Sequence, residues 1–284
     1  MQRLISELRR LYLLENQTYA VQNREGGNGD PAGALLPAVL EQHLLGEQTV
    51  ALDLVTSAGQ TRALVIDFDG AADGSGARQW TTLCTVANAL QTELGLPAPA
   101  VTISGRKGYS LWLSLETPMP APEVRQFLRM LRLVYVPEIV STDDDAAKCA
   151  IRAVAELPPF LDRISGKWAA FINPGMGASF AEDPGLEMAP PWGAQAAFLA
   201  GLQSISIRQF GQALLRLEQL CGVTNNVMAS APDSTAKPSG SVSVPATAAA
   251  PAGGMLLKDA SIDDVVKFLH ERNIEPTFRY LIPG

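Results

Sequence analysis

The chain has 284 residues, 47% of them hydrophobic, and a formal net charge of −7 at pH 7. That length allows one large domain or two small ones with a sizeable core. The acidic balance excludes a generally basic nucleic-acid coat, so any contact with nucleic acid must come from a local basic groove or through cations. The three cysteines, Cys84, Cys149 and Cys221, lack CxxC spacing, and His43 and His270 are the only histidines. This argues against a zinc module, a His-rich metal site and a Ser-His-Asp triad. No apolar run reaches membrane-spanning length. The charged N-terminal segment is helical in pattern rather than a signal peptide, so the chain reads as soluble and cytoplasmic.

Leu4, Ile5, Leu8, Leu11 and Tyr12 fall at helical spacing and predict a helix over residues 1–16. Residues 24–33, rich in Gly, Asn, Asp and Pro, read as a loop. A short helix over 36–45, a strand over 49–55 and a turn at 57–60 follow. The next run, ALVIDFDG (63–70), reads as a buried strand. Strand alternation puts Asp67 and Asp69 on one face, with Ile66 and Phe68 on the other. Two carboxylates roughly 6–7 Å apart at Cα suit a shared hard divalent cation, which also relieves their mutual repulsion. The plainer reading is two solvated aspartates at a strand end.

After a loop at 70–76, a helix over 77–94 stops at Gly95, with Pro97 just beyond. Strands at 101–104 and 109–115 flank Gly105-Arg106-Lys107-Gly108 and form a hairpin. A helix over 122–135 follows. This order predicts an α+β fold whose mostly antiparallel central sheet contains the strands at 62–69, 100–104 and 108–115. The domain spans residues 1–225. Residues 226–255 form an Ala/Ser/Pro/Gly linker, too poor in apolar groups to pack. Residues 256–284 carry a short amphipathic helix, N-capped by Ser261, which must dock on its own domain or on a partner.

The hairpin carries the second chemical signal. Its two glycines let backbone amides approach an anion, Arg106 and Lys107 add charge, and Ser104 and Ser110 add hydroxyls. Together these parts suit a triphosphate, although an ordinary hairpin tip with solvated charges has the same composition. A carboxylate pair with a phosphate cradle is the minimum set for nucleotidyl transfer.

LVIDFDG (64–70) followed by SGRKGYSLWL (104–113) resembles the first two motifs of the archaeo-eukaryotic primase superfamily. HLLGEQTVAL, starting at His43, is similar to the segment preceding the first motif. LPPFLDRISGKW (157–168) resembles the family's Leu-Pro element. The resemblance covers about residues 18–175 and implies a primase-polymerase-like catalytic domain with an RRM-like sheet flanked by helices. It implies that Asp67 and Asp69 bind two catalytic Mg²⁺ or Mn²⁺ ions. A third carboxylate is expected among Glu138, Asp143, Asp144 and Asp145, with Asp145 favoured. Ser104, Arg106, Lys107 and Ser110 would contact the phosphates, and Lys167 or Arg152 would add a further contact.

The implied activity is template-directed nucleotidyl transfer from nucleoside triphosphates on single-stranded DNA or RNA, as in DNA replication. A separate helicase or a defence or replication partner would dock on the tail. Ser110 and Asp162 stand where the family has histidines, which leaves open a module that binds nucleotide or nucleic acid without turnover. VIDFDGAADGS and VTISGR also resemble haloacid dehalogenase-like phosphatases, with Asp67 as nucleophile and Asp69 as acid/base. Ala71 departs from that family's pattern.

Overall fold

Alternating side chains on one sheet supply two separate cores, and half-buried Asp67 follows Val65 along the face of the second. The computed structural model describes residues 1–15, 17–22, 28–69, 76–136 and 154–229. Glu138, Asp143, Asp144, Asp145 and Arg152 lie outside those residues, as do the tail and most of the linker. The elements are, in order, α1 (Gln2–Leu11), β1 (Thr18–Gln22), β2 (Asn28–Ala34), α2 (Pro37–Leu44), β3 (Val50–Asp53) and β4 (Gln60–Asp69). There follow α3 (Gly76–Thr92), β5 (Ala100–Ile103), β6 (Gly108–Pro120) and α4 (Ala121–Tyr135). The chain continues through β7 (Val154–Glu156), β8 (Phe160–Leu161), β9 (Trp168–Ile172), a 3₁₀ segment at Pro174–Phe180, α5 (Trp192–Ala200) and α6 (Ile207–Ala229).

The larger sheet has the order β4-β6-β5-β9-β8 and the smaller β2-β1-β3-β7, with every strand pairing antiparallel. The expected hairpin and acid-bearing strand are therefore neighbours. Residues 28–33, expected as part of a loop, instead run within edge strand β2, whose register against β1 shifts twice. A bulged edge strand tolerates Gly and Pro because its outer side needs no ladder donor, and composition alone did not reveal this. At the other end α6 continues to Ala229. Residues 226–229, assigned to the linker, are therefore helical backbone, and the first helix-breaking proline comes only at Pro232.

Leu64, Ile66 and Phe68 of β4 join Val101, Ile103, Tyr109, Leu111 and Leu113 in a core covered by α3, α4 and α6. Ala63, Val65, Trp112, Ala100 and Phe171 face the other way, onto α1, α2, α5 and the small sheet. The two-residue period of β4 thus carries its odd-numbered side chains toward the second core. Among the described residues, no helix is long and apolar enough to cross a membrane.

His43 ties this second core together. It is fully buried; its Nδ1 accepts the Val50 N–H at 3.0 Å and its Nε2 lies 2.6 Å from the Leu157 carbonyl oxygen. Acceptance at Nδ1 fixes the tautomer, so Nε2–H donates to Leu157. Burial lowers its pKa from 6.5 to about 4, against the opposing effect of the Leu157 bond. The unfolded chain takes up this proton near its ordinary pKa, while the folded chain resists until about pH 4. The resulting stabilisation is whole above the unfolded value and is lost progressively as pH falls toward the folded one. Its full size is about 3 kcal/mol. Denaturant unfolding at pH 7 and about pH 4.5 should register most of that loss. His43→Gln should be less stable at pH 7 and show a flatter profile over the same window. An unchanged profile would place the titrating group elsewhere.

Candidate functional site

Strand register assembles the first wall of the site. Asp67 lies directly opposite Ser110 on β6, Ser110 is paired in turn with Thr102 on β5, and Asp69 ends β4 opposite Gly108. Ser110 is buried, and its Oγ donates to Asp67 Oδ1 at 2.6 Å. The hydroxyl expected to reach phosphate holds the half-buried carboxylate in place.

The hairpin tip is organised by Ser104. Its Oγ accepts the backbone N–H groups of Arg106 (3.3 Å), Lys107 (2.7 Å) and Gly108 (2.9 Å). These amides, expected from the sequence to approach an anion, converge on a serine oxygen. The side chains of Arg106 and Lys107 are left exposed beside the cleft.

A second turn, at 162–166, packs against this tip. Asp162 Oδ1 accepts the N–H groups of Ile164 (2.9 Å) and Ser165 (2.8 Å), while Oδ2 accepts Arg106 Nε–H at 3.2 Å. Ser165 Oγ donates to the Gly105 carbonyl at 2.9 Å. Gly105 has φ +81°, and a Cβ there would lie 3.1 Å from Asp162 Cβ and 3.2 Å from the Lys167 carbonyl oxygen. Glycine satisfies both the left-handed backbone and the close approach of the two turns.

The third wall comes from the small sheet. Glu156 at the end of β7 accepts a hydrogen bond from Gln22 Nε2 of β1 at 2.5 Å, and both line the cleft. Arg163, which donates to the Gly46 carbonyl at 2.7 Å, lines it too. The cavity measures about 110 Å³, with Trp112 contributing to its lining. Arg106, Lys107 and Arg163 face Asp67, Glu156 and Asp162 there, a formal balance of opposite charges.

Of the residues selected from the sequence, Asp67, Ser104, Arg106, Lys107 and Ser110 line one cleft. Lys167 does not line it. Its ammonium pairs with Asp183 and with Glu187 (3.0 Å), and these hold its pKa above the usual lysine range. Glu156 and Gln22 were not selected. Glu156 is the acid immediately before Leu157-Pro158, the start of the segment that resembles the family's Leu-Pro element.

Carboxylates from two sheets thus face the cations of a Gly-bounded hairpin across one cleft of an α+β protein. Residues 24–138 match the model of the archaeo-eukaryotic primase domain of TOTE conflict systems. The matched stretch holds the acid-bearing strand β4 and the whole β5–β6 hairpin. Three solved structures are similar to it. The cyanophage S-2L primase-polymerase domain shares 15% identity over 70% of this chain and 97% of its own, with a TM-score of 0.40. The polymerase domain of Mycobacterium tuberculosis ligase D, solved with DNA, shares 13% over 81% of this chain and 90% of its own, at 0.45. The catalytic domain of primase RepB′, solved with initiator DNA, shares 14% over 81% of this chain and 98% of its own, at 0.42. No curated protein sequence matches the chain.

Proposed function

We propose that the cleft performs template-directed nucleotidyl transfer, joining nucleoside triphosphates on a single-stranded DNA or RNA template. The observation that carries this reading is the placement of Asp67 on β4 and of Lys107 at the tip of the neighbouring β5–β6 hairpin, both lining a single cleft. Arg106 and Lys107 would bind the triphosphate, Ser104 fixes the tip that presents them, and Ser110 orients the Asp67 carboxylate. Among the described residues no cluster of three or more metal-ligating side chains forms. Asp67 and Glu156 are nevertheless hard oxygen donors facing one cavity, a set suited to Mg²⁺ or Mn²⁺. Together with Asp69, and with Glu156 or Asp145 as the third carboxylate, Asp67 would hold such ions. Bound there, they would supply activation of the attacking hydroxyl and stabilisation of the leaving pyrophosphate. The tail at 256–284 is the segment on which a separate helicase or a defence or replication partner would dock.

A second reading is a module that binds nucleotide without turnover. It is favoured by the two positions where the family has histidine, since Ser110 is engaged by Asp67 and Asp162 by Arg106. Incorporation of labelled nucleotide on a single-stranded template with Mg²⁺ or Mn²⁺ separates the two. Lys107→Ala should weaken triphosphate binding about tenfold, the scale of one charge-assisted contact. Triphosphate binding without incorporation would select the second reading. Phosphate release from simple monoesters, lost in Asp67→Asn, would point to the phosphatase alternative.

A further inference from the structure

We propose that Asp162 is a positioning residue that holds the Arg106 guanidinium edge-on to a bound phosphate. This rests on the phosphate reading of the cleft. Asp162 is 8% exposed and is fixed by the backbone amides of Ile164 and Ser165, both of which use Oδ1. Capping that turn needs one acceptor oxygen. The other, Oδ2, takes Arg106 Nε–H. The Arg106 side chain is 39% exposed, and neither of its Nη groups has a partner among the described residues. With Nε engaged, the two Nη groups remain as the paired donors that match two oxygens of a phosphate.

The carboxylate has two opposed effects. Its charge repels a phosphate, and its hydrogen bond removes rotamer freedom that an exposed arginine would otherwise lose on binding. The repulsion acts on the ligand whether or not Arg106 is present, whereas the positioning effect exists only with Arg106. The two are therefore separable by sign in a double-mutant cycle.

The experiment titrates a nucleoside triphosphate with Mg²⁺ against the full chain, Asp162→Asn, Arg106→Ala and the double variant, with the unphosphorylated nucleoside as control. Asparagine keeps the Oδ1 acceptor and puts an amide donor where Arg106 needs an acceptor. With Arg106 present, Asp162→Asn should weaken triphosphate binding about fivefold. In the Arg106→Ala background the same change should tighten it, because only a negative charge is removed. Nucleoside binding should not move in either case. If thermal melting shows Asp162→Asn to be misfolded, Asp162→Ser keeps a short capping acceptor and replaces it in the cycle. Equal tightening in both backgrounds would show that Asp162 only repels, and would overturn the proposal alone. Absence of triphosphate binding by the unaltered chain would overturn the phosphate reading, and this proposal with it.

Discussion

Asp67→Asn is expected to lower templated nucleotide incorporation by about 10³-fold or more while leaving the fold intact, a loss of about 4 kcal/mol in transition-state stabilisation. The substitution is nearly isosteric, and Asn Oδ1 still accepts the Ser110 hydroxyl that now bonds to Asp67 at 2.6 Å. What it removes is the charge at a half-buried position on the wall of the cleft. Asp67 lies on the strand face that leads into the second core, with Val65 two residues before it packed inside that core. A melting temperature within a few degrees of the parent would separate lost chemistry from lost structure. Retention of more than about a tenth of the parent rate would remove Asp67 from the reaction.

Trp112→Ala should cost about 3–5 kcal/mol of folding stability, the largest structural effect anticipated for a residue of the cleft. The indole is 2% exposed. It meets Tyr12 edge-on at 5.2 Å and 70°, and Phe171 at 6.5 Å and 72°. It is therefore an anchor of the second core that also contributes to the lining of the cavity, rather than a platform on which a base would stack. Denaturant midpoints decide this. A loss under about 1 kcal/mol, with nucleotide binding impaired, would reverse the assignment. Trp112→Phe should fall between the two, since it keeps an aromatic edge toward Tyr12.

The first wall of the cleft was legible because it depends on periodicity. Once ALVIDFDG is a strand and the glycine-bounded tip a hairpin, alternation alone puts Asp67 on the second-core face. The far wall was not legible. Gln22 and Glu156 meet across 134 positions of sequence. They meet in a sheet whose β3 and β7 have only four and three residues, too short to display a period. The role of Ser104 was hidden for a different reason. A hydroxyl that gathers three successive amides is a local side-chain bond, and composition cannot distinguish it from an anion contact. Asp162 could be recognised as a departure from the family pattern, but its two oxygens have separate partners that only the packed turn brings within reach.

The two walls of the cleft are built to different standards of permanence. Asp67 sits on β4, paired along nearly its full length with the thirteen-residue β6, whereas Glu156 ends a three-residue strand that borders only β3. Local opening follows the number of cooperative backbone bonds that must break together, so amide protons of β7 should exchange with solvent well before those of β4 and β6. His43 Nε2–H holds the Leu157 carbonyl immediately after β7, and protonation of the imidazole costs Nδ1 the bond it accepts from Val50 N–H at the start of β3, the strand that β7 borders. In mild acid the far wall should therefore breathe while the acid-bearing strand stays closed, and the cleft would lose its shape before the protein loses its fold.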